Sequence, residues 1–124
     1  MNIHSTLNYL FPAGIVTDCG SYLGGSLEVH GLPKGTIPRN CEVLASGRSK
    51  FFWGRERQDM YLVKTQDFLI FLRIGPAGPD NGDGEFVVSR GHAPLDDGAS
   101  LEFQTIARRS IERLCAAPAG PLPN

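Results

Sequence analysis

A chain of 124 residues, 41% hydrophobic and 20% charged, suits one globular domain that folds without staples, since this length buries roughly two-thirds of the surface its unfolded form exposes. A formal net charge of −1 and a pI near 6.3 argue against a dedicated nucleic-acid binder, and no apolar run is long enough to read as a membrane span. The 15 Gly and 9 Pro favour strands joined by tight turns over a helical bundle.

Ile3, Leu7 and Leu10 recur at helical spacing ahead of Phe11 and Pro12, which predicts a short N-terminal helix stopped by the proline, with a strand as the alternative. Residues 15–19 and 26–30 are short β-favouring runs separated by glycines at 20, 24 and 25, and read as a hairpin or meander. Residues 32–40, with Pro33, Gly35 and Pro38, read as a loop. A second hairpin is expected from 41–45 and 50–53 around a turn at 46–49, where Gly47 suits a positive φ.

A clearer hairpin joins 60–64 to 68–74 through Thr65, Gln66 and Asp67. Strand side chains alternate, so Phe68, Ile70, Leu72 and Ile74 share one face and Leu69 and Phe71 the other. A strand apolar on both sides belongs inside a covered sheet. Residues 75–84 then read as a loop and 85–89 as a further strand.

The cover is expected from 101–115, where Phe103, Ile106, Ala107, Ile111 and Leu114 fall within about 140° of helical arc. Arg108, Arg109, Glu112 and Arg113 lie outside that stripe, Asp96, Asp97 and Ser100 offer N-cap groups, and Pro118 stops the helix. The fold class predicted is α+β: a mostly antiparallel sheet of short strands packed on one face by a C-terminal amphipathic helix. One domain is expected over 1–117, followed by a mobile Pro/Gly tail over 118–124.

The most distinctive stretch is 48–57, where Arg48, Lys50, Arg55 and Arg57 surround Phe51, Phe52 and Trp53 with Glu56 as the single anion. Cations steer and hold acidic surfaces, while Trp and Arg are typical hot-spot residues, so Arg48, Lys50, Trp53, Arg55 and Arg57 are the candidate partner-binding set, with a protein favoured over nucleic acid, on whose unpaired bases the rings could stack. The plainer reading is a strand whose aromatics pack inward and whose arginines edge the sheet. An opposite field lies over 80–102, with Asp80, Asp83, Glu85, Asp96, Asp97 and Glu102 against Arg90; the two regions could attract each other within one molecule or between copies, but solvated turns and helix caps are the plainer account.

Cys19, Cys41 and Cys115 are odd in number and form no C-x-x-C pair, so reduced thiols in a cytoplasmic protein are expected. Cys19, His30 and Cys41 would have to converge to hold zinc, and their spacing matches no ligand motif, so no metal is expected. The run from Asp80 to Glu85 lacks calcium-loop spacing. Ser89, His92 and Asp96 are near in sequence, and Asp18 could pair with Cys19 or Glu28, but neither set completes a catalytic motif. In Gly24-Gly25-Ser26-Leu27-Glu28, Glu28 stands where a nucleophile elbow needs glycine. No phosphate-cradling loop is present, and no cofactor is expected. The N-terminal seven residues have no basic stretch before an apolar run, so no secretory signal is expected, nor is a lipid anchor.

These observations favour a small binding or regulatory module acting on a protein partner through the basic aromatic stretch. A small enzyme using His92, Asp18 or Cys19, and a self-associating structural subunit, are the alternatives.

Overall fold

The computed structural model describes residues 2–18, 27–48, 59–76 and 85–116. In order they form α1 (Ile3–Leu10), β1 (Ile15–Asp18), β2 (Leu27–Leu32), β3 (Glu42–Arg48), β4 (Asp59–Lys64), β5 (Phe68–Pro76), β6 (Glu85–Pro94) and α2 (Asp97–Ala116). The strands make one sheet in the order β1-β2-β6-β5-β4-β3, with every neighbouring pair antiparallel. With α2 packed on that sheet, the class is α+β.

The helix α1 starts where Asn2, in extended backbone, accepts the Ser5 amide on its side-chain oxygen at 2.8 Å. This N-cap satisfies one of the donors that a helix start leaves without an intrahelical partner. The last turn closes with the Phe11 amide donating to the Leu7 carbonyl, and Pro12 cannot extend the ladder. Leu7, Leu10 and Phe11 are buried against Val29, Ile70 and Leu72 on one face of the sheet. Residues 33–40 are pinned beside them. The Arg39 amide donates to the Leu10 carbonyl, while the Glu85 carboxylate accepts the Gly35 and Thr36 amides at 3.0 Å each.

The opposite face carries α2, where Ala107 and Ile111 form a core with Met60 and Leu62. β5 therefore sends Ile70 and Leu72 to one core and Phe71 to the other, as its unbroken apolar run predicts. Its hairpin with β4 is closed by Thr65, whose amide donates to the Phe68 carbonyl at 2.8 Å and whose hydroxyl accepts the Phe68 amide at 3.0 Å.

Three local departures correct the sequence reading. The turn expected at 46–49 does not form, because Ser46, Gly47 and Arg48 continue β3 opposite Tyr61, Met60 and Asp59. Pairing along β4 outweighs the turn propensity of a Ser-Gly pair, and the strand expected at 50–53 lies outside the described residues. Second, β6 runs past Ser89 to Pro94. A bulge takes up Arg90 between the pairs Leu72–Ser89 and Phe71–Gly91, and Gly91 lies where a Cβ would come to 3.4 Å from the Phe103 ring. Third, Ile106 is 60% exposed. The core-facing line of α2 is half-buried Phe103 followed by buried Ala107 and Ile111 at successive i+4 steps, which leaves Ile106 on the margin of the stripe.

Arg108, Arg109, Glu112 and Arg113 are exposed as expected. Asp96 supplies the cap by accepting the Ala99 amide at 3.0 Å, and α2 begins four residues before the predicted start. The Leu114 side chain and residues 118–124 lie outside the described set. Among the described residues, no helix is long and apolar enough to cross a membrane.

Candidate functional site

Among the described residues, the β3–β4 ladder runs as far as the pair Arg48–Asp59. β3 is the outermost described strand on that side, so this pair stands at a corner of the described sheet. Arg48 Nε donates to Asp59 Oδ1 at 2.6 Å and Nη2 to Oδ2 at 3.4 Å, a forked contact in which the Arg48 side chain stays 59% exposed. The Asp59 hydrogen bond and charge hold the guanidinium in its charged form. Beside it, burial raises the Tyr61 phenol above its ordinary value, and the Asp59 carboxylate adds to the effect.

Residues 49–58, which connect Arg48 to Asp59, lie outside the described residues. Of the candidate partner-binding residues, the structure places Arg48; Lys50, Trp53, Arg55 and Arg57 lie outside the described residues. Sequence reading missed the role of Asp59. The signal was present: an acidic residue two positions after Arg57 can close a hairpin ladder against a basic residue at its other end.

The remaining chemically interesting residues are dispersed. Ser89 is buried opposite Leu72, His92 meets the Phe68 ring edge-on at 5.3 Å, and the Asp96 carboxylate caps α2. His92 and Asp96 thus have separate partners, and Ser89 is buried in the sheet. Cys41 packs half-buried against the core beneath α1, and burial raises its thiol above the ordinary value. His30 lies on β2, four strand positions from β3, or about 19 Å across the sheet at the usual strand spacing. Cys19 and the stretch 77–84 are outside the described residues, and among those described no group of three or more His, Cys, Asp and Glu is placed to hold a metal ion.

One polar cluster was not legible in the sequence. At the β1–β2 edge, Thr17 Oγ1 and His30 Nε2 share a hydrogen bond of 2.7 Å, with Glu28 Oε2 at 3.6 Å from the same nitrogen. In the register Thr17 faces Glu28 and Ile15 faces His30, so the contact to His30 is diagonal. A hydroxyl–imidazole–carboxylate relay needs the carboxylate on the other ring nitrogen, where it fixes the tautomer that accepts the hydroxyl proton. Here both oxygens address Nε2, and the contact ties two strands together. Asp18 is paired with Leu27, while Glu28 is paired with Thr17.

The acidic residues of 80–102 are in part engaged internally. Glu85 holds the Gly35 and Thr36 amides and Asp96 holds that of Ala99. Glu102 is exposed on α2.

In comparisons with known proteins, no family model, curated protein or solved structure matches this chain. The functional reading accordingly rests on its own geometry and chemistry.

Proposed function

We propose that this protein is a small binding module that engages a protein partner at the β3–β4 corner, through Arg48, Lys50, Trp53, Arg55 and Arg57. One observation carries the reading: Arg48 and Asp59 are paired neighbours on β3 and β4, so the basic aromatic stretch is joined at both ends to adjacent positions on a two-sided, well-packed sheet. Connections held by a rigid scaffold are where binding residues concentrate. Four cations against Glu56 favour an acidic surface on the partner, with Trp53 as the apolar anchor. The use of Asp96 as the α2 cap and the packing of His92 on Phe68 favour the binding reading over an acid–base enzyme.

Photo-crosslinking tests it. A photoreactive residue is placed at Lys50 and, in a second sample, at Glu112 on the exposed side of α2. The proposal expects a defined heterologous crosslink from position 50 and none of the same product from 112. Equal capture from both positions, or crosslinks only between copies of this chain, would overturn it.

A further inference from the structure

We draw no further inference here: the strongest candidate, the outer edge of β3 with half-exposed Val43 beside it, is interrupted by a bulge between Val43 and Ala45, and nothing in the structure shows what covers it.

Discussion

Arg48 and Asp59 face each other in the β3–β4 ladder, the last pair among the described residues, and are joined by a forked contact, with Nε to Oδ1 at 2.6 Å. The carboxylate fixes where the basic aromatic stretch begins and offsets one of its cations. Both side chains meet water, at 59% and 28% exposure, so solvent screens their attraction. Asp59→Asn should therefore leave the melting temperature close to wild type while making the corner more cationic, and association with an acidic partner should quicken at low salt. A large drop in melting temperature, or slower association, would contradict this assignment.

The two isoleucines of α2 separate core from margin. Ile111 is 6% exposed and Ile106 is 60% exposed. Ile111→Ala should cost about 2–5 kcal/mol through loss of burial and the cavity left behind, whereas Ile106→Ala should stay within about 0.5 kcal/mol. Urea denaturation of the two variants measures both. Equal costs would mean that α2 is rotated from the orientation described.

Gly31 sits in the bulge between the pairs Val29–Val87 and Leu32–Glu85, with φ of 74° and open space where a Cβ would stand. The bulge returns Leu32 to the core side that Leu27 and Val29 share, although it lies an odd number of residues beyond them. Gly31→Ala should lose about 1–2 kcal/mol from the backbone conformation alone. Gly98, at the start of α2 and equally unobstructed, has no such demand, so Gly98→Ala should gain up to about 1 kcal/mol. Chemical denaturation should show opposite signs; two losses would refute the contrast.

Burial raises the Cys41 thiol above 9.0 and the Tyr61 phenol above 10.0. Because the folded state binds these protons more tightly, the stability they contribute is complete below the ordinary values and lost as pH rises through the raised ones. Stability should thus decline above a pH of about 9. Site-resolved alkylation offers a direct check: at pH 8 Cys41 should react far more slowly in the native protein than in urea. Equal rates in the two states would rule out the burial described.

The β4–β5 hairpin and α1 were legible because local pattern and tertiary burial agree. In β5 the apolar run and the three-residue connection at Thr65 fix both ends, and in α1 the spacing of Ile3, Leu7 and Leu10 meets the block at Pro12. Gly47 misled the reading for the opposite reason. It has local turn character, yet it lies in a strand because its neighbours pair. The bulges at Gly31, between Val43 and Ala45, and at Arg90 break strict alternation, so a two-residue period cannot carry the faces through them. At the candidate site, the cationic and aromatic composition was readable, but the Arg48–Asp59 closure depends on the register of two strands.

The proposed contact surface comprises the residues joined to the sheet at Arg48 and Asp59. Its most direct test is the association rate of Arg55→Ala with Arg57→Ala, measured across a salt series against the partner captured from position 50. The account predicts unchanged melting, slower association and a shallower salt dependence, because steering cations have been removed while the scaffold is intact. Wild-type association rates at every salt concentration would contradict it and return the charge around Phe51, Phe52 and Trp53 to a role at the sheet edge.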